Sequence, residues 1–259
     1  MLSEFGMQSL PVRESLEQFL PTEKLFPPNA SWEYHHAQLE KLWRYAEPLV
    51  RSKQNRKDAK TPSNYQLPIT NLNLDEFIDA TQDAQMHALQ IAIEYARRNK
   101  KIFSGCLFWQ FNEPWPAICW SVVDYYRRPK RAYQKLAQIY QPLLISFAYA
   151  LQPRRAGDKI TGTIWIVNDS LESWPDCTIH VIRNGVESER GRANIPTDSV
   201  TRVGNVYLTM STGANVLRLE IHSGEKILTV NEYDLNYCDV GESSSSAKFY
   251  SKLGEWLMK

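Results

Sequence analysis

Two carboxylates stand where the side chains of a β/α protein do chemistry. Glu4 follows Leu2-Ser3 and precedes Phe5-Gly6, a short run that reads as a strand end passing into a loop. Glu113 lies in Asn112-Glu113-Pro114-Trp115-Pro116. That segment must be a loop, because two prolines exclude both a helix and a central strand. Enzymes with β/α units place catalytic groups at the C-terminal ends of parallel strands. Taken singly, either glutamate is equally an ordinary structural acid. Other chemistries lack their patterns: there is no Ser-His-Asp order, no Gly-rich phosphate loop and no HExxH. Four cysteines without a CxxC pair suggest neither a zinc site nor a disulfide scaffold, so the expected metal and cofactor content is none. His180 and His222 are separated by whole strands and read as ordinary strand residues.

Elements that position these acids can be read on either side of them. Asn73 followed by Glu76 has the form of a capping box and opens a helix over about 74–99. In it Ala80, Ala84, Ala88, Ala92 and Ala96 recur every four residues, a small-residue stripe that allows close packing. Ile102 to Phe111 is an apolar run of strand length. Pro129 opens a further helix whose buried face is read as Ala132, Tyr133, Leu136, Ala137 and Tyr140, with Pro142 closing it. Earlier, Ser15 and Gln18 suggest a brief helix, and another is expected from Trp32 to Glu47, stopping at Pro48. Strand, connection with helix, strand, helix is the order of a parallel β/α pair. From Leu143 the pattern changes to alternation: Ile160, Ile164 and Ile166 share a face, as do Cys177, Ile179 and Val181, and Leu217, Leu219 and Ile221. Asn184-Gly185 is a type I′ hairpin signal. About seven such strands indicate an immunoglobulin-like β-sandwich.

Composition bounds the partners. Thirty Lys plus Arg against 29 Asp plus Glu gives a net charge of +1, which argues against a nucleic-acid binder. The basic run from Arg51 to Lys60 lacks interleaved aromatics and reads as a solvated loop or helix end. No apolar run approaches the roughly 20 residues of a membrane span, and no signal peptide is visible, so localisation stays open. Gly105 to Tyr133 concentrates Phe108, Trp109, Phe111, Trp115, Trp120, Tyr125, Tyr126 and Tyr133. They are either core or a surface on which flat apolar faces such as sugars stack.

Two long segments then carry a family resemblance. Residues 3–11, Ser-Glu-Phe-Gly-Met-Gln-Ser-Leu-Pro, resemble the nucleophile segment of glycoside hydrolase family 2, in its β-mannosidase branch. Residues 105–125, from Gly105 through Trp109-Gln110-Phe111-Asn112-Glu113-Pro114-Trp115-Pro116 to Trp120 and Asp124-Tyr125, resemble the last barrel strand and loop of the same enzymes. Arg128-Pro129-Lys130 and Ala132-Tyr133 continue the match, and Thr81-Gln82, Gln85, Glu94 and Arg97 resemble the preceding helix. The resemblance implies an α/β plus all-β chain: the C-terminal portion of a (β/α)8 TIM barrel, its last two β/α units, over 1–145, an immunoglobulin-like β-sandwich over 146–240, and a linker and tail over 241–259.

It also implies a retaining exo-glycosidase acting on terminal β-D-mannosides, with a β-linked mannoside or related oligosaccharide as partner and no nucleic acid or membrane. Glu4 would be the nucleophile. Trp109 would be the floor beneath the sugar, with a cis peptide to Gln110. Asn112 either hydrogen-bonds sugar or caps the loop. Glu113 replaces the Asp that relatives commonly carry, and either orders the loop or touches substrate. Trp115 and Trp120 shape the loop. The family's acid/base belongs to an Asn-Glu pair on an earlier strand, and the Asn-Glu pairs here, at 112–113 and 231–232, do not match it. A whole barrel takes about 250 residues, so the chain reads as the C-terminal piece of a longer enzyme, inactive or nearly so without the missing N-terminal part. An exo-β-glucosaminidase or β-galactosidase-like activity, or a non-catalytic carbohydrate-binding module, are the alternative readings.

Overall fold

The computed structural model describes residues 1–55, 72–151 and 156–238. The expected linker and tail at 241–259 lie outside them, as does the basic run beyond Asn55. The chain divides into two compact units, Met1–Ala92 with Cys106–Leu136, and Ile93–Gly105 with Ala137–Lys259.

The first unit carries a short parallel pair, β1 (Leu2–Phe5) and β2 (Cys106–Phe108), joined through α1 (Arg13–Phe19), α2 (Ala30–Tyr34), α3 (Leu39–Asn55) and α4 (Leu74–Arg98) and followed by α5 (Arg131–Ile139). The capping box at the head of α4 forms as read: the Glu76 amide donates to Asn73 Oδ1 at 3.0 Å, and the Asn73 amide to Glu76 Oε2 at 3.1 Å. Leu10, Leu16, Trp32, Leu42, Phe77, Leu89 and Ile118 are buried, with the Trp32 and Phe77 rings stacked at 6.3 Å.

Three local expectations are corrected. The single helix from Trp32 to Glu47 is two, α2 and α3, and α3 continues through Pro48. The break at 35–38 has a cause outside the local sequence. The Gln8 amide donates to His36 O, Gln8 Oε1 accepts from the Gln38 amide, and His36 adopts φ 67°. The strand over 102–111 shrinks to three residues, because the Ile102 and Phe103 amides turn back to Asn99 O. The buried face of α5 is Ala132, Leu136 and Ile139, at helical spacing, while Tyr133, Ala137 and Tyr140 are exposed.

Among its described residues the second unit holds seven strands in two antiparallel sheets. β3 (Leu143–Tyr149), β4 (Lys159–Asn168) and β7 (Ser199–Thr209) form one, in the order β3-β4-β7. β5 (Trp174–Arg183), β6 (Val186–Ile195), β8 (Val216–Ser223) and β9 (Lys226–Asp234) form the other, in the order β6-β5-β8-β9. Inward residues of both sheets make one core, including Ile145, Phe147, Ile160, Ile164, Ile166, Cys177, Ile179, Val181, Leu217, Leu219 and Ile221. Asn184 and Gly185 both have positive φ, as a type I′ turn requires. Strand pairing also brings His180 and His222 together, with ring centroids 4.0 Å apart. Each contacts a glutamate, His180 with Glu187 and His222 with Glu220. No metal-binding group of side chains occurs among the described residues.

One polar network interrupts this apolar core. Buried Glu94 accepts from Tyr233 Oη at 2.7 Å and from Asn231 Nδ2 at 2.8 Å, and the Phe147 amide donates to Tyr233 Oη at 2.8 Å. Burial first, then the Glu94 charge, hold the Tyr233 phenol well above its ordinary pKa. Tyr233→Phe removes one donor to a buried carboxylate and leaves the Phe147 amide without that acceptor. Urea denaturation followed by circular dichroism should show a loss of about 1–3 kcal/mol; an unchanged midpoint would contradict this account of the network.

Candidate active site

The site begins with a defect in the β1–β2 ladder. Leu2 pairs with Cys106 and Ser3 with Leu107, but Phe5 pairs with Phe108, so Glu4 is the extra residue of a bulge. It has φ 57°, a left-handed conformation that non-glycine residues rarely adopt, and its side chain is exposed. Bulges re-aim side chains, and such strained backbone gathers at functional positions. The sequence places Glu4 at a strand end; its displacement from the ladder has no local signal there.

Trp109 follows β2 directly, and its amide donates to Phe5 O at 2.8 Å, so it lies at the same end of the pair as Glu4. The residue is 51% exposed, large for a tryptophan. The Trp109–Gln110 peptide is cis. Behind it, Gly6 is demanded by space. A Cβ at Gly6 would lie 1.9 Å from Trp109 O and 3.4 Å from the Trp120 ring. No side chain fits there without moving the Trp109 backbone.

After Gly6 the chain is suspended on buried polar side chains. Gln85 Nε2 reaches the carbonyls of Met7 at 2.9 Å, Trp120 at 2.9 Å and Ser121 at 3.1 Å, and Gln85 Oε1 accepts from Ser9 Oγ. Thr81 Oγ1 accepts from the Leu10 amide, and Gln82 Nε2 donates to Leu10 O. Gln8 Nε2 donates to His36 O and Ile118 O, and the Ser9 amide to Cys119 O. Lys130 Nζ donates to Ser9 O at 3.0 Å and to Cys119 O at 3.2 Å. A buried backbone polar group without a partner is costly, so each of these side chains fixes the course of 7–10. Thr81, Gln82 and Gln85 are legible as polar interruptions of an otherwise small and apolar helix face. Gln8, Cys119 and Lys130 carry no comparable signal.

The four residues singled out in the sequence divide. Glu4 and Trp109 are exposed at one end of β1–β2. Asn112 is exposed, and its backbone bridges to Val123. Glu113 does not join them and follows the loop-ordering one of its two readings. It is 4% exposed, accepts from the Cys119 thiol and from Gln110 Nε2 at 3.2 Å, and so is committed to the interior of the loop. Burial, then the hydrogen bond to Glu113, push the Cys119 thiol up to about 12. Burial depresses Lys130 to about 8 against the opposing pull of Glu113.

Known proteins resemble the chain in sequence and in fold. It is 29% identical over 147 residues to β-mannosidase B of Aspergillus niger, covering 55% of this chain and 16% of that protein. It is 26% identical over 242 residues to β-mannosidase B of Thermothelomyces thermophilus, covering 87% of this chain and 26% of that protein. The chain therefore spans well under a third of these curated relatives. The β-D-mannosidase of Dictyoglomus thermophilum has a similar fold, with a TM-score of 0.66 over 93% of this chain and 28% of that one, at 24% identity. The exo-chitosanase of Amycolatopsis orientalis gives 0.59 over 88% and 26%, at 15% identity. No family model matches. In sequence and in fold the chain thus resembles part of a β-mannosidase.

Lys130 gives this unit a pH signature. Its folded pKa, about 8, lies below its ordinary 10.5. Between those values the unfolded chain binds a proton that the folded one does not, so stability rises with pH. The thiol of Cys119, raised from 9.0 to about 12, acts in the opposite direction from pH 9 upward. Urea melts followed by tryptophan emission should gain about 1 kcal/mol between roughly pH 7.5 and 9. Lys130→Met should abolish that gain; a gain of equal size in the variant would refute the assignment.

Proposed function

We propose that this chain carries the nucleophile side of a retaining β-mannosidase site on the final β/α units of a (β/α)8 barrel, followed by an immunoglobulin-like sandwich. The observation that carries the reading is the pairing of a bulged, left-handed, exposed Glu4 with an exposed Trp109 at one end of β1–β2. The β-mannosidase relatives and the fold of a known β-D-mannosidase support it.

In this reading the apolar C–H face of a terminal mannose rests on the Trp109 indole. A Glu4 carboxylate oxygen attacks the anomeric carbon as the bond to the leaving oxygen breaks, forming a glycosyl-enzyme ester. Water then attacks the same carbon, returns Glu4 as a carboxylate and releases the sugar with its configuration retained. The leaving oxygen must take a proton in the first step, and a base must take one from water in the second. That role needs a second carboxyl about 5 Å from the first. Glu113 is spent inside its loop and cannot fill that role, and this reading expects no acid/base in the chain itself. Asn112, exposed on the same loop, is assigned a hydrogen bond to substrate.

The dependence on leaving group tests the assignment. A 2,4-dinitrophenolate departs without protonation, whereas the sugar alkoxide of mannobiose does not. With the 259-residue chain, release from 2,4-dinitrophenyl β-D-mannoside should exceed that of the Glu4→Gln variant, and mannobiose should remain intact. Equal rates for the two proteins would remove Glu4 as nucleophile, and Glu4-dependent cleavage of mannobiose would show a complete acid/base here. Faster release from the matching glucosaminide or galactoside would favour those sugars instead.

A further inference from the structure

Glu113 is a buried carboxylate that the proposed reaction does not use, and its partners suggest a purpose. Gln110 Nε2, which donates to Glu113 Oε2 at 3.2 Å, belongs to the residue immediately after Trp109. The same amide lies 3.5 Å from Cys119 Sγ, and the thiol in turn donates to the Glu113 carboxylate. The Gln110 carbonyl accepts from the Val122 amide at 3.1 Å. Gln110 is therefore held by its side chain and its backbone at once. Trp109, one residue earlier, is tied through its backbone to Phe5 O and passes close to Gly6, while the residue stays half exposed.

The charge is also balanced locally. Lys130 feels the Glu113 carboxylate and grips the carbonyls of Ser9 and Cys119, five residues after Glu4 and six after Glu113. A buried ammonium stays tolerable when an anion is near it. One carboxylate thus restrains the residue behind Trp109, beside the lysine that ties the Glu4 segment to the loop. The glutamate side chain reaches both Gln110 and Cys119.

We propose that Glu113 is a positioning residue for Trp109, acting through the Gln110 amide to set the angle of the indole. The claim that this indole stacks on sugar rests on the function proposed above; the positioning itself does not.

The Trp109 indole N–H resonance, assigned with a Trp109→Phe variant in ¹H–¹⁵N spectra of the full chain, reads both claims. Glu113→Asp keeps the negative charge for Lys130 and withdraws it from Gln110. Gln110→Met breaks the link from the other side with Glu113 intact. Both should remain folded, and both should move or broaden the Trp109 resonance while the other indole signals stay in place. Methyl β-D-mannoside should perturb the Trp109 signal in the parent, and the apparent Kd should weaken several-fold in both variants. An unmoved Trp109 resonance in folded Gln110→Met protein would overturn the proposal, even if Glu113→Asp did not fold. A resonance that moves in the variants, but does not respond to mannoside in the parent, would leave the positioning intact and defeat the sugar-stacking reading.

Discussion

The site depends on one close approach. The Trp109 carbonyl occupies the space where residue 6 would carry a Cβ, so only glycine allows the exit of β1 to lie against the start of the loop after β2. That contact sets two exposed groups, a carboxylate and an indole, at one end of the same parallel pair. Neither side chain is fixed by burial. Both are fixed by backbone, through the bulge at Glu4, the Trp109 amide on Phe5 O, and the passage at Gly6.

Such a backbone needs support, and the first unit provides it in polar form. Eight buried or half-buried carbonyls and amides between Met7 and Leu10, and in the loop at 118–121, find partners on Gln8, Thr81, Gln82, Gln85 and Lys130. Hydrogen bonds are directional where apolar packing is not, so a core built this way specifies position as well as stability. The second unit follows another plan. Its sheets meet through alternating apolar side chains, with buried polar clusters such as that of Glu94, Asn231 and Tyr233 set among them.

These plans explain what could be read from residues alone. The capping box at Asn73, the alternation of Ile160, Ile164 and Ile166 and the turn at Asn184-Gly185 are local rules, and they appear as read. The two motif segments imply by resemblance that Glu4 and Trp109 share a site, and both stand exposed at one end of β1–β2. The failures lie where a distant partner decides. Gln8 breaks the helix at 35–38 from some thirty residues away. Asn99 O captures two amides of the expected strand. Glu113 turns inward because Cys119 and Gln110 wait there, which its place between Asn112 and Pro114 does not announce. The face of α5 differs from the expected one because Tyr133 and Tyr140, aromatics with a polar end, stay exposed.

The central claim is that the bulged carboxylate at the end of β1 is a glycosidase nucleophile, and it can be tested covalently. 2-Deoxy-2-fluoro-β-D-mannosyl fluoride loses fluoride without a proton from an acid, and its 2-fluoro group slows hydrolysis of the ester that results. Intact-protein mass spectrometry and peptide mapping of the 259-residue chain should then find the fluoromannosyl group on Glu4, and no labelling of Glu4→Gln. A label on any other residue, or a chain that stays unlabelled, would contradict the account.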